Sequence, residues 1–247
     1  MILESISIYI LVVVFLATLV RSTFGFGESL VAVPLLALRI PLEIAVPLSV
    51  LMSIFVAGVV VAQDWKKIHI RSAGWLIFFT LLGIPLGLLL LVSGDEQIAK
   101  AGLGLLIIAF STYSLFGKKS ILLKSDSMLW LSGCGLLAGV FGGAYGLNGP
   151  PLVVYGSMRQ WSAQHFRATL QGYFLPASLI GMLGYWFQGL WISTVTHYFL
   201  ISLPAMIPAI FLGRVINHRL KGQEFLNYVY IGLVGIGILL LVQALGE

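Results

Sequence analysis

The chain has 247 residues, of which 59% are hydrophobic and only 9% are charged. Soluble domains carry about 25% charged residues, so this composition excludes an ordinary water-soluble domain and indicates that lipid surrounds much of the protein. The formal net charge of +5 does not indicate nucleic-acid binding. The basic residues lie in short clusters between apolar runs, which is typical of membrane topology and contact with anionic lipid.

The first apolar region, residues 5–38, is interrupted by the segment Ser22-Thr23-Phe24-Gly25-Phe26-Gly27-Glu28-Ser29. The apolar piece that follows, residues 30–38, is too short to cross a bilayer, which takes about 20 helical residues. Interrupted backbone at membrane depth is tolerated only where it is buried or lines a cavity. We therefore predict a broken-helix hairpin here.

Three uninterrupted apolar runs follow, and each is predicted to be a transmembrane helix: 42–63, 73–92 and 97–116. After a predicted cytoplasmic linker, 118–127, the same order of features recurs. A second hairpin at 128–158, interrupted by residues 141–149, precedes three further predicted spans, at 168–188, 194–213 and 224–245. The chain is thus predicted to consist of a first repeat, 1–117, and a second repeat, 128–247.

Short motifs support this repeat, although residue identity is low. The run Phe24-Gly25-Phe26-Gly27 resembles Phe141-Gly142-Gly143-Ala144, and each is followed by a proline-containing apolar piece. Later in each half, Gly83-Ile84-Pro85 matches Met206-Ile207-Pro208.

The distribution of basic residues predicts the orientation of the two repeats. If each hairpin enters and leaves on one side, each half crosses the membrane an odd number of times and the halves are inverted. One face then receives Lys66, Lys67, Arg71, Lys118, Lys119, Lys124, Arg159, Arg167, Arg214, Arg219 and Lys221, and the other only Arg39 and Lys100. Basic loops face the cytoplasm, so both termini are predicted to be periplasmic. If each hairpin is instead counted as one crossing of the membrane, the two repeats are parallel. The basic residues are then divided almost evenly between the two faces, without the expected cytoplasmic excess.

The predicted fold class is therefore an all-α polytopic membrane protein with two inverted repeats, each a broken-helix hairpin plus three transmembrane helices. Interrupted helices at matching positions of two repeats are a pointer to a substrate site near the bilayer midplane. Helix N-termini at such breaks present free amide groups and a positive dipole end to an anion. The alternative is that the glycines only allow close helix packing.

The candidate substrate-binding residues lie mainly in the two breaks: Thr23, Gly25, Gly27, Glu28, Ser29, Gly142, Gly143, Tyr145 and Asn148. Acidic residues at membrane depth are functional candidates, so Glu28 is either a proton-coupling residue or a helix cap. Asn148 is either an anion donor or an ordinary cap. For Arg21 we favour pairing with Glu28 over a direct role in attracting substrate.

Arg167 and Gln171 lie one turn apart at the start of a span and share a helix face, so both are further candidates. Arg167 is alternatively a positive-inside anchor. The four histidines, His69, His165, His197 and His218, have no metal-ligand spacing, and no metal or other cofactor is predicted.

These breaks, the run Phe166-Arg167-Ala168-Thr169-Leu170 and the nearby Tyr173-Phe174 resemble the sulfite exporter TauE/SafE family, the toluenesulfonate uptake permease group. The resemblance extends over essentially the whole chain. It implies a multi-pass protein of the bacterial inner membrane that transports sulfite, sulfonates or related anions, commonly as an exporter. Phe26 and Glu28 depart from the glycine pattern of the family in the first break.

The predicted function is a secondary transporter, and more specifically an exporter, of a small sulfur-containing anion by alternating access. No Walker-type phosphate loop is present in the sequence. An importer or channel of the same fold, an intramembrane enzyme and a non-transporting membrane subunit are the alternatives. The predicted partners are a small anion and the lipid bilayer, with no nucleic acid, and a homodimer is left open.

Overall fold

The computed structural model describes residues 2–64, 70–116, 122–123, 125–159, 163–219 and 222–246. Within these ranges it describes all side chains except those of 2–5, 63–64, 70–72, 163–168, 217–219, 222–226 and 228. All the regular secondary structure in these ranges is α-helical, which confirms the predicted all-α class.

Ten helices occupy the described residues: α1 (Ile2–Phe24), α2 (Glu28–Ala37), α3 (Leu42–Asp64), α4 (Ile70–Ser93), α5 (Glu96–Phe116), α6 (Met128–Tyr145), α7 (Gly149–Met158), α8 (Ala163–Phe187), α9 (Ser193–Arg219) and α10 (Gly222–Gly246). Seven of them contain apolar stretches of 18 to 24 residues, long enough to cross a bilayer. The chain is therefore a multi-pass membrane protein. α2 and α7 have only 10 residues each and are too short to span alone.

α8 is long enough to cross a membrane, at 25 residues, but it is less apolar than the seven candidate spans. The reason lies in three polar side chains, Thr169, Gln171 and Ser178, which are all buried. A helix whose polar groups face protein does not expose them to lipid. α8 also begins at Ala163, earlier than the predicted 168, and α9 continues to Arg219, beyond the predicted 213.

The helices of the first half pack extensively on those of the second. α1 packs against α9, α4 against α6, α3 against α8, and α5 against α10. By order in each half, α1 corresponds to α6 and α4 to α9, so the first two pairs are each other's counterparts and the last two join corresponding helices. A two-fold relation between the halves predicts this pattern. Their opposite orientation in the membrane stays a prediction.

Glycines allow α4 and α6 to cross with their backbones in contact. A β-carbon at Gly83 or Gly87 would collide with a carbonyl oxygen of α6, and one at Gly139 or Gly143 would collide with a carbonyl oxygen of α4. Small residues at such spacing are a common means of close packing between membrane helices.

Candidate substrate site

Each helical hairpin turns through a break of the same length. Residues 25–27 separate α1 from α2, and residues 146–148 separate α6 from α7. Each break opens with a glycine in the left-handed region, Gly25 with φ 85° and Gly146 with φ 67°. This conformation is costly for residues with a β-carbon, so glycine ends each long helix and allows the chain to reverse.

The second break occupies the later part of the predicted interruption, residues 141–149, and lies beyond the segment that the motif comparison aligns with the first break. Sequence similarity aligns 24–27 with 141–144, whereas residues 141–145 are still helical and the true counterpart of 25–27 is 146–148. The difference arises because a glycine need not end a helix. Gly143 instead lets α6 contact α4.

The two breaks meet at one small cavity. Its volume is about 20 Å³, which leaves room for one or two water molecules. The lining comes from α1, α3 and α8, from both breaks, and from the first turns of α2 and α7. The polar side chains that line it are Arg21, Glu28, Ser29, Ser53 and Asn148.

Arg21 is held from several directions at the edge of this cavity. It is 3% exposed and forms an ion pair with Glu28 through Nη1. Nη1 also donates to Ser53 Oγ at 2.7 Å, and Nη2 donates to Gln171 Oε1 at 2.9 Å. The guanidinium carbon lies 5.0 Å from the centre of the Phe174 ring. The predicted Arg21–Glu28 pairing is confirmed.

Glu28 is the first residue of α2, but its side chain does not cap that helix. The N-cap residue is Gly27, and no side chain makes a capping hydrogen bond there. Glu28 is 2% exposed, and its Oε2 accepts from Arg21. Its other oxygen, Oε1, makes no hydrogen bond within the part of the chain that the structure describes. The capping interpretation of Glu28 is therefore wrong, and one carboxylate oxygen is free.

Gln171 connects α8 to the first break through hydrogen bonds. Its Nε2 donates to the Gly25 carbonyl oxygen at 2.7 Å, while its Oε1 accepts from Arg21. Gln171 thus bonds to two elements of the opposite half of the chain. The side chain of Arg167, the companion candidate on α8, lies outside the described side chains.

Asn148 occupies the N-cap position of α7 but makes no capping hydrogen bond through its side chain. Its Nδ2 instead lies 3.5 Å from the hydroxyl of Tyr173, which is 2.7 Å from Thr80 Oγ1. Thr80 donates to the Gly135 carbonyl oxygen at 3.0 Å. Because Thr80 uses its proton on that carbonyl, Tyr173 donates to Thr80 and accepts from Asn148. The series of hydrogen bonds therefore runs from the Asn148 amide to the carbonyl oxygen at the end of the series.

The remaining candidates contribute less directly. Ser29 lines the cavity and accepts a hydrogen bond from Ser49 at 2.9 Å. Thr23 donates to the Leu19 carbonyl oxygen of its own helix at 2.8 Å. The Asn148 side chain packs on the backbone of Gly142.

Two further candidates contact other helices and are not among the residues that line the cavity. Gly143 packs against α4. The hydroxyl of Tyr145 lies against Gly102 of α5.

Sequence inspection misses several residues of the site. Ser53 and Thr80 lie within apolar runs and belong to no motif. Tyr173 and Phe174 contribute to the family resemblance, but no site role is predicted for either. One signal was available, because Ser49 and Ser53 are four residues apart in α3 and so share a helix face. Both serines contact the first hairpin, through Ser29 and Arg21.

The two short helices differ in the amide groups that they present. In α2 the first intrahelical bond is donated by Val31 to the Gly27 carbonyl oxygen at 3.1 Å, so the amides of Glu28, Ser29 and Leu30 have no acceptor within the helix. In α7, Pro150 and Pro151 follow Gly149 and carry no amide hydrogen. The first break therefore offers more donors than the second.

Comparison with known proteins identifies the family to which the chain belongs. The family model described as Sulfite exporter TauE/SafE matches residues 10–240. A probable sulfite/organosulfonate exporter TauE of Cupriavidus necator is 26% identical over 188 residues, which cover 74% of this chain and 70% of that protein. No solved structure matches the chain.

Proposed function

We propose that this chain, which belongs to the sulfite exporter TauE/SafE family, exports a small sulfur-containing anion such as sulfite or an organosulfonate. The family makes the chain a membrane transporter and not an enzyme. The similar protein from Cupriavidus necator carries the name of a probable sulfite/organosulfonate exporter, which supports both the substrate class and the direction. The bacterial inner membrane, with both termini periplasmic, is the location that we propose.

The observation that carries this proposal is Arg21 at the meeting point of the two breaks. Among the described residues, Arg21 is the only cationic side chain that lines the cavity. Guanidinium groups bind oxoanions through several parallel hydrogen bonds. Ser53, Asn148, Ser29 and Leu30 also line this space, and the amides of Ser29 and Leu30 have no acceptor within their own helix. This set of donors suits a small oxoanion.

The depth of the cavity supports a site within the bilayer. The Arg39 guanidinium, on the exposed turn after α2, lies 5.4 Å from the centre of the Tyr9 ring on α1. At 1.5 Å per residue, Phe24 is roughly 22 Å further along α1 than Tyr9. The hydrocarbon core is about 30 Å thick. If Arg39 marks the interface, the first break therefore lies inside the membrane.

The size of the cavity supports alternating access. A space for one or two water molecules is too small for a sulfur oxoanion, so the helices around it have to separate before substrate enters. Both hairpins contribute to the cavity, and each packs on a long helix of the opposite half, α1 on α9 and α6 on α4. We propose that relative motion of the halves opens the cavity to one side at a time.

Transport by purified protein in liposomes tests this proposal. Vesicles loaded with sulfite or a short sulfonate should release it faster when they contain the protein than when they are empty. Chloride and phosphate serve as competitors to establish selectivity. Release no faster than from empty vesicles, for every anion tried and in both membrane orientations, would refute the proposed function.

A further inference from the structure

We propose that the site carries one proton together with each monovalent anion, so that its net charge is zero both when empty and when loaded. This inference rests on the proposed function. It adds the charge state of the substrate and the stoichiometry of coupling.

The first step is that substrate and the Glu28 carboxylate compete for the same cation. Glu28 is the anionic partner of Arg21, through Nη1. The other contacts of the guanidinium are neutral: Ser53 Oγ, Gln171 Oε1 and the Phe174 ring. An anion that binds Arg21 therefore takes the place of the carboxylate.

The second step is a balance of charge. With Glu28 ionised, the empty site holds one positive and one negative charge. A monovalent anion added to this pair would leave one uncompensated negative charge at a buried position, which is strongly unfavourable. If Glu28 takes up a proton, Arg21 and the anion form the new neutral pair. The Glu28 oxygen without a partner, Oε1, is available to receive that proton.

The stoichiometry follows from the asymmetry of the two halves. Aligning the breaks on Gly25 and Gly146 places Arg21 opposite Gly142 and Glu28 opposite Gly149. Among the side chains that the structure describes, the second half therefore supplies no second cation or carboxylate to the cavity. One proton then balances one monovalent anion, and a dianion such as sulfate is left with an unpaired charge.

Among the described side chains, the other groups around Glu28 do not offer a competing proton site. α3 faces it with the hydroxyls of Ser49 and Ser53, the second break with the Asn148 amide, and α8 with Gln171 and Phe174. The Tyr173 hydroxyl lies behind Asn148. α5 and α10 also pack on α2, and their described titratable side chains are Glu96, Lys100, Tyr113 and Tyr230. Lys100 is paired with Glu96 at 3.3 Å, and Tyr230 packs edge-on against Phe110.

The direction of coupling also follows. Because the anion and the proton occupy the site in the same state, they cross together. Export therefore removes the equivalent of the whole acid, driven by the gradients of anion and proton, and the membrane potential does not act on the transport step.

Methanesulfonate is a suitable probe because it stays a monovalent anion at any physiological pH and carries no proton of its own. In liposomes containing the wild-type protein and an internal pH dye, inward methanesulfonate flux should acidify the lumen by one proton per anion. Potentials of either sign, imposed with potassium and valinomycin, should change the flux less than twofold. Methanesulfonate flux without proton movement, or flux that follows the potential, would overturn the inference while leaving the proposed function intact. Absence of flux for sulfite as well as for methanesulfonate would instead refute the proposed function.

Glu28→Gln provides a second, independent measurement. Its neutral amide imitates the protonated acid, so methanesulfonate should still move but without protons. The empty site then carries one charge, so flux should depend on potential, by about 50-fold per 100 mV at most. Glu43→Gln, which removes an exposed carboxylate at the start of α3, should match wild type. Proton movement retained in Glu28→Gln would overturn the inference. If this variant does not fold, the ratio of protons to anions measured for the wild-type protein still tests the inference.

Discussion

At the scale of single residues, the cost of burying Arg21 explains why so many side chains converge on it. An ion taken from water into a protein interior loses several kcal/mol of solvation. The carboxylate of Glu28, the oxygens of Ser53 and Gln171 and the Phe174 ring together offset that loss. Burial of a charged side chain at this cost in free energy, within an otherwise apolar bundle, is the strongest local indication of a site that binds a charged ligand.

The Arg21–Glu28 pair leads to a prediction about stability. Arg21→Met should lower the free energy of unfolding by about 3–5 kcal/mol, because it leaves the Glu28 carboxylate buried without a counter-ion. The double variant Arg21→Met, Glu28→Leu should recover most of that loss, because it removes both charges. Thermal unfolding in detergent measures the two effects. Equal loss of stability in the single and double variants would show that the two charges are not coupled.

A second residue-scale prediction concerns Asn148. Asn148→Ala should weaken anion binding by about 1–3 kcal/mol, which is roughly 5- to 150-fold in apparent affinity, because a hydrogen-bond donor at the cavity is lost. The apparent KM for sulfite or methanesulfonate in liposomes measures this. Asn227→Ala in α10, away from the cavity, is the matched control. An affinity equal to that of the control would remove Asn148 from the site.

The sequence could predict individual site residues only where a local pattern marks them. Glu28, Asn148 and Arg21 stand out as polar groups beside glycine-rich breaks. Tyr173 and Thr80 could not be found in this way, because their hydrogen bond joins residues far apart in the chain and depends on how α4 and α8 pack. Such contacts belong to tertiary structure and leave no periodic signal.

At the scale of helices, the same residue type serves two purposes. Gly25 and Gly146 end long helices by adopting positive φ, whereas Gly139 and Gly143 continue α6 and bring it against α4. Composition alone does not separate these roles. This is why the sequence predicts an interrupted hairpin in each half but does not show where within residues 141–149 the helix ends.

The packing role of Gly143 can be tested with a matched pair of substitutions in α6. Gly143→Ala should destabilise the protein by about 1–3 kcal/mol, because the added methyl group overpacks the contact with α4. Gly133→Ala, where a β-carbon meets nothing within 4 Å, should be neutral or stabilise the helix by up to about 1 kcal/mol.

Unfolding temperatures in detergent compare the two variants. Methanesulfonate affinity of folded Gly143→Ala should equal that of wild type. A loss of affinity without a loss of stability would return Gly143 to the list of binding residues.

At the scale of the whole molecule, the set of packed helix pairs stays the same when each helix is replaced by its counterpart in the other half. α1–α9 matches α6–α4, and α3–α8 and α5–α10 pair helices of equal rank. The sequence predicts the number and order of the helices from hydropathy, because a bilayer imposes a minimum length on each span. It does not predict which helices touch, since lipid-facing and protein-facing surfaces are both apolar.

The inverted arrangement predicts a specific pattern of accessibility. Cys134 is buried and is the only cysteine of the sequence, so single cysteines can be introduced as reporters. Asp95→Cys, Ser125→Cys and Ser193→Cys all replace residues at exposed positions. In intact cells an impermeant thiol reagent should label positions 95 and 193 from the periplasm and should label position 125 only after permeabilisation. Protection of position 193 in intact cells, where parallel repeats would place it in the cytoplasm, would contradict the inverted topology.

The central claim is that sulfur-containing anions cross the membrane by binding Arg21 where the two hairpins meet. Sulfite and methanesulfonate flux through the double variant Arg21→Met, Glu28→Leu tests it most directly, because that variant should fold while lacking the charged pair. We predict flux well above empty liposomes for the wild-type protein and flux equal to empty liposomes for the folded double variant. Undiminished transport by the double variant would contradict the claim.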